Sequence, residues 1–229
     1  MGAVGAKGAS GATGYFLKVA GFVLSKRIAR RESRHKGMRT MTTILPAPDT
    51  TSELPRLCDL TPELALREAA PFLADLVRDP TFLDAHILPL LKEARGAEDW
   101  YVAHRYDGQD SSYSLQIFVW PPGTTTKIHD HTCWGAYCCA VGSVLEERYE
   151  RLDDSSRINH ARLKKVWQLS WSREDGASTV LPYAEGIHRV GNPGEAVAIS
   201  VHLYGPRLGK LDGRDYDTSC NYVCDRTEA

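Results

Sequence analysis

Cysteine is scarce, with six residues in 229. That density is too low for a disulfide-stapled scaffold, so the fold must rest on a hydrophobic core. Long apolar runs are missing too. The longest, Tyr15 to Leu24, contains Lys18 and is about half of the roughly 20 residues that a membrane-spanning helix needs. Net charge is close to absent, −1 at neutral pH, which excludes a strongly basic nucleic-acid binder as the first reading. What is present is a globular composition, 42% hydrophobic and 25% charged. The chain is long enough for one domain with a sizeable core or two small ones.

The charge is unevenly spread. Residues 1–41 hold nine Lys/Arg against one acid, Glu32, which is +8 and leaves −9 for the rest of a chain whose total is −1. Gly and Ala dominate the first dozen residues, and all three methionines, Met1, Met38 and Met41, lie here. Such a segment buries little. Three readings of it compete: a targeting peptide or basic surface helix over Tyr15 to Arg34, a solvated basic tail, or an over-extended reading frame whose true start is Met38 or Met41. Residues 1–50 are therefore set apart as a basic, disordered extension, and function is sought in a domain spanning 51–229.

Residues 44–57 are rich in Pro, Ser and Thr and read as a linker. Thr61-Pro62-Glu63 reads as a helix start, with a capping hydroxyl, a proline suited to the first turn and an acid at the positive end. Leu64, Phe72, Leu73 and Leu76 line one side, and Pro71 is expected to kink or divide the helix. A second helix is expected from Phe82 to Ala94, ending at Gly96. After Trp100 the texture changes. From Tyr113 to Trp120 the residues alternate, with Tyr113, Leu115, Ile117 and Val119 on one face and Ser114, Gln116, Phe118 and Trp120 on the other. Further short strands are expected at 136–141, 144–151, 163–171, 178–181 and 196–204, separated by turn signals such as Asn192-Pro193-Gly194. That spacing means an all-β sandwich or barrel.

Eight histidines are present. Two form His129-Asp130-His131, and on a strand i and i+2 share a face, so two imidazoles converge on one point. An isolated pair of this kind is better explained by chance. Here the pair follows a Pro121-Pro122-Gly123 turn, and His188 arrives later within Gly186-Ile187-His188-Arg189-Val190-Gly191-Asn192, placed to be a third ligand from a neighbouring strand. Imidazoles suit iron, zinc, copper or nickel, so ligand type alone does not choose the metal. In Ser200-Val201-His202-Leu203-Tyr204 the alternation is strict. Val197, Ile199, Val201 and Leu203 face one way, while Ser200, His202 and Tyr204 face the other. A hydroxyl, an imidazole and a phenol on one face can form a hydrogen-bond chain; the alternative is an ordinary polar strand face, against which these residues follow two alanines, Ala196 and Ala198, rather than charges.

These three segments in this order resemble the cupin barrel, and more narrowly its thiol dioxygenase branch, the cysteine dioxygenases and 3-mercaptopropionate dioxygenases. The glutamate usual in cupins would fall near Gly135 and is absent. The resemblance covers roughly residues 55–215. It implies a jelly-roll, double-stranded β-helix barrel with an N-terminal helical layer. It implies a ferrous ion held by His129, His131 and His188, with Tyr204 beside it, supported by His202 and Ser200. The implied activity adds both atoms of O₂ to a small thiol, cysteine or 3-mercaptopropionate, giving the sulfinate. The alternative is a non-oxygenase cupin that binds a metal or small ligand.

Two departures bear on substrate. Animal-type enzymes cross-link the tyrosine to a cysteine five residues after the second histidine; here that position is Ala136, so no cross-link is expected. The family also carries an Arg or Gln on the preceding strand as substrate anchor, and counting places it near Val102 or Ala103, which cannot hold a carboxylate. Guanidinium binds carboxylate in a bidentate way, which makes Arg105, Arg207 and Arg214 the candidate anchors, and Trp134 joins them by its likeness to the mercaptopropionate type. The remaining cysteines read as buried or incidental. Without a disulfide pattern and with oxygen-sensitive ferrous chemistry, the expected setting is the cytoplasm, with no nucleic-acid or membrane partner and a monomer or weak homo-oligomer.

Overall fold

Thr61 does stand at the start of a helix, α1 (Pro62–Leu76), but its hydroxyl caps nothing; its carbonyl accepts the first turn's bond from Ala65 at 2.9 Å. The helix runs through Pro71 without dividing. Pro71 lies on the exposed face, so the carbonyl it leaves without a donor opens to water. Ala65, Leu66, Ala69, Leu73 and Leu76 hold the other face down. Leu64, expected on that face, is 47% exposed. The second helical stretch comprises α2 (Pro80–Phe82), a π-helical turn (Leu83–Ile87) and α3 (Leu88–Glu93). Asp79 caps it by accepting from the Phe82 amide at 2.9 Å, and Gly96 leaves it at φ 87°.

This computed structural model describes residues 54, 56–94, 96–206 and 211–227. The basic extension assigned to 1–50 and the candidate anchor Arg207 lie outside the described residues. No described helix is long and apolar enough to cross a membrane.

Among the described residues, eleven strands follow the helices: β1 (Tyr101–Asp107), β2 (Ser114–Trp120), β3 (Ile128–His129), β4 (Gly135–Val141), β5 (Ser143–Arg151), β6 (Leu163–Ser172), β7 (Ala177–Val180), β8 (His188–Gly191), β9 (Ala198–Tyr204), β10 (Leu211–Asp217) and β11 (Tyr222–Thr227). They form two antiparallel sheets, ordered β1-β2-β9-β4-β7 and β11-β10-β3-β8-β5-β6. This is the all-β, jelly-roll cupin barrel with an N-terminal helical layer.

The period-two pattern sorts the layers. Leu115, Ile117 and Val119 of β2 and Ile199, Val201 and Leu203 of β9 turn outward, under the helices, into one core with Leu73, Ile87 and Leu90. A fully buried aliphatic side chain contributes roughly 1.5–3 kcal/mol, so this apolar face fixes which residues the sheet turns inward. A second core between the sheets holds Phe118, Trp120, Tyr137, Cys139 and Val190. A third, smaller one, with Ile128, Ile187 and Tyr216, lies on the far side of the second sheet.

Candidate metal centre and its surroundings

His129 and His188 are direct cross-strand partners on β3 and β8. His131 follows two residues after His129 and returns to the same side. The ring centroids are 4.5 Å apart for His129 and His188, 4.8 Å for His129 and His131, and 5.4 Å for His131 and His188. All three side chains are buried, and one nitrogen of each lies within 4.8 Å of the others. The Nε2 atoms of His131 and His188 face each other at 3.3 Å. Two imidazole nitrogens each about 2.1 Å from one ion stand close to that distance apart, so the spacing fits a shared metal.

Hydrogen bonds orient two of the rings. The His129 Nδ1–H donates to the Lys127 carbonyl at 2.9 Å, and the His188 Nδ1–H donates to Glu146 at 2.9 Å. Each bond leaves Nε2 as the ligating atom. Burial pushes the pKa values of His129 and His131 well below the ordinary histidine range, with neighbouring imidazoles adding to the effect. Both rings are thus kept neutral, the form that binds metal.

Asp130, between the two histidines, points the other way and is fully buried. Its carboxylate accepts from the Arg214 amide at 2.7 Å, the Arg214 guanidinium Nε at 2.8 Å and the Tyr216 hydroxyl at 2.7 Å. Arg226 donates to the Asp130 carbonyl at 3.0 Å. Gly213, at φ 145°, crosses so near that carbonyl that any side chain there would strike it. The β10–β11 hairpin thereby clamps the segment that carries two ligands.

The β9 triad forms one chain. The Trp120 Nε1–H donates to Ser200 Oγ at 2.8 Å, Ser200 Oγ lies 2.7 Å from His202 Nε2, and His202 Nδ1 lies 3.1 Å from the Tyr204 hydroxyl. The Tyr204 ring sits 5.1 Å from that of His131. His202 lies between Phe118, at 4.3 Å, and Tyr137, stacked at 4.8 Å and 15°. Burial drives its pKa down to about 3, so it is neutral.

The expected anchors divide. A bulge between Val102 and His104 shifts the β1 register, so that Arg105 pairs with Gln116, and Gln116 pairs with His202. Arg105 therefore shares the sheet face of the relay, two strands away, with its Nε 2.9 Å from Asp107. Arg214 does not take the anchor role that its chemistry suggests; its Nε and Nη2 hold Asp130, behind the ligand segment. Trp134 lies in the helix-side core, because the chain entering β4 turns Trp134, Ala136 and Cys138 to that side together. Gly205 passes so near the Trp134 indole that no side chain would fit there. The β4 residue opposite Tyr204 is Gly135, not Ala136, which pairs with Leu203 on the outer face. Burial pushes the thiols of Cys138 and Cys139 up to about 12, which makes them unreactive packing.

The sequence reading missed Glu146, Asp130, Trp120 and Arg226. Trp120 carried a usable signal, because the β2 alternation already placed it with Phe118 on the inward face. Glu146 carried none, since Glu146-Glu147-Arg148 reads as the charged surface of any strand.

Comparison with known proteins gives a family match: residues 96–219 match the cysteine dioxygenase type I family. Among solved structures, the chain is similar to TT1209 from Thermus thermophilus (19% identity, 42% of this chain and 74% of that one, TM-score 0.31). It is also similar to a cupin 2 conserved barrel domain protein from Salinispora arenicola (12% identity, 46% and 73%, TM-score 0.32). A further similar structure is the cupin domain of Schizosaccharomyces pombe Cnp3 (12% identity, 47% and 61%, TM-score 0.34).

Proposed function

Because the chain belongs to the cysteine dioxygenase type I family, we propose that it oxidises a small thiol, cysteine or 3-mercaptopropionate, to the sulfinate with O₂ and a ferrous ion. In R–SH + O₂ → R–SO₂H, two S–O bonds form and the O–O bond breaks. Four electrons leave sulfur and four enter dioxygen, so no external reductant is needed. The observation that carries the reading is the meeting of two constellations: three buried imidazoles, His129, His131 and His188, and the Tyr204 ring 5.1 Å from His131. A module that only stored metal would not require a buried relay behind that phenol.

The three histidines fit the ion in donor type and spacing. When bound, iron would supply the open positions at which thiolate and dioxygen meet. The remaining work belongs to the chain. The fold buries all three ligand side chains. The Tyr204 ring lies beside His131, and His202 holds its hydroxyl in place. Arg105, on the relay face, is the cation able to meet a substrate carboxylate, which would compete with Asp107 for its guanidinium.

The test is oxygen uptake by anaerobically iron-loaded protein given cysteine, 3-mercaptopropionate or cysteamine, with the product followed by mass spectrometry. One O₂ consumed per thiol, with a sulfinate product, supports the reading. Loaded protein that takes up no oxygen with any of the three overturns it.

A further inference from the structure

Among the described residues, Glu146 is the one whose carboxylate reaches a proposed metal ligand. It lies on β5 with no exposed surface. Its strand pairs with β8 so that Arg148 is opposite His188 and Glu146 is opposite Val190, and the Glu146 side chain reaches His188 along the diagonal. One oxygen, Oε1, accepts from His188 Nδ1 at 2.9 Å and pairs with Arg148 Nε at 2.7 Å. The other, Oε2, accepts from the Trp171 indole at 3.0 Å and from the Ser178 hydroxyl. Trp171 belongs to β6 and Ser178 to β7, so partners from both sheets fix one carboxylate. Burying a charge costs far more than an ordinary ion pair returns unless every lone pair is satisfied. Here three of the four contacts are hydrogen-bond donors, and Arg148 Nε adds its charge at ion-pair distance without making a hydrogen bond.

We propose that Glu146 is a positioning residue for the metal centre: it holds His188 as the Nδ1–H tautomer, with Nε2 aimed at the ion, and strengthens that nitrogen as a donor. The inference rests on the three-histidine metal reading. Its physical basis is general, since a carboxylate accepting from the far nitrogen of a ligating imidazole fixes ring orientation and raises ligand basicity, and losing such a partner typically costs roughly 10- to 100-fold in metal affinity. A role confined to pairing with Arg148 would not require His188 to share the same oxygen. Arg148 has partners of its own besides Glu146, in the Ser178 hydroxyl and the Thr179 carbonyl.

The probe is cobalt(II), titrated anaerobically into metal-free full-length protein and read by calorimetry and by its visible ligand-field bands. Glu146→Gln should weaken cobalt(II) binding roughly 10- to 100-fold and shift those bands. Glu146→Asp keeps the charge but draws it back from Nδ1, and should fall between the two; it decides the matter if the Gln variant does not fold. Arg148→Gln is the structural control, expected to lower the unfolding temperature while cobalt(II) affinity stays within about threefold. Unchanged affinity and bands in folded Glu146→Gln, or in Glu146→Asp where Gln does not fold, overturn the proposal and leave the metal reading standing. Failure of the unmodified protein to bind cobalt(II) overturns both.

Discussion

The indole nitrogen of Trp120 lies 2.8 Å from Ser200 Oγ, and an indole N–H can only donate. Ser200 Oγ therefore accepts from Trp120 and is free to donate its own proton to His202 Nε2. That leaves the His202 proton on Nδ1, facing the Tyr204 oxygen 3.1 Å away. The phenol oxygen then accepts from His202. A single tryptophan on β2 thus gives the relay a direction.

Tyr204→Phe removes the last group of that chain and keeps the ring against His131. Iron content should be unchanged, and kcat should fall roughly 10- to 1000-fold, the range for a lost proton-transfer or electrostatic group. Ser200→Ala should cost less, on the order of tenfold, because the phenol remains but His202 loses its fixed tautomer. Full turnover in the Phe variant, measured by oxygen uptake, would reduce β9 to packing.

Replacing His129, His131 or His188 by Ala deletes one of three proposed ligands. Iron per protein, measured after anaerobic loading and dialysis, should drop sharply in each case, with circular dichroism unchanged. An Ala variant that holds full iron would remove that histidine from the ligand set.

The layers were readable because their cause is local. Strict alternation over Tyr113–Trp120 and Val197–Tyr204 tells which side chains turn inward, and the strands pair in register with that pattern. Residues whose roles depend on pairing between distant segments were not readable. Arg214 is an arginine on a polar strand until β10 is laid against β3, which brings it to Asp130. The bulge that carries Arg105 onto the relay face has no marker such as glycine in Val102-Ala103-His104. Counting along the chain put the family's cross-link position at Ala136, whereas the β4–β9 register sets Gly135 opposite Tyr204.

Gly135 carries no thiol, and its missing side chain is what lets the Tyr204 ring lie where a Cβ would be 3.0 Å from it. Intact mass after turnover should equal that of the unmodified sequence, with no loss of two hydrogens. Such a loss would require a thiol other than one at the facing position to reach the phenol.

Acid should destabilise the fold through His202. Its native pKa, lowered by burial to about 3, lies below the ordinary 6.5. Between those values the unfolded chain binds a proton that the native state refuses, so stability falls as pH falls, by about 1.4 kcal/mol per pH unit for one such group. Glu146 acts lower. Burial alone would raise its pKa, but the hydrogen bonds from His188 and Ser178 and the Arg148 guanidinium charge outweigh it and bring it to about 2. Its contribution is present above the unfolded value of 4.5 and is lost toward pH 2. Urea unfolding of the unmodified protein and of His202→Gln from about pH 7 to 5 should show a shallower slope in the variant by about one proton; equal slopes would mean that His202 does not resist protonation.

Arg105 and Arg214 should separate by what their loss does to different thiols. Arg214 holds a fully buried carboxylate through two guanidinium nitrogens. Arg214→Ala leaves that charge without its cation, at a cost on the order of 3 kcal/mol in stability. It should loosen the His129-Asp130-His131 segment and reduce activity on cysteine, 3-mercaptopropionate and cysteamine alike. Arg105 is 36% exposed and paired with Asp107, so Arg105→Ala should leave stability nearly unchanged. If it meets the substrate carboxylate, kcat/KM should fall roughly 10- to 100-fold for the two acids and little for cysteamine, which has no carboxylate. Steady-state kinetics of both variants on the three thiols decide it. An equal loss on all three from Arg105→Ala, or cysteamine as the best substrate of the unmodified protein, would remove Arg105 as an anchor and with it the case for an acidic thiol.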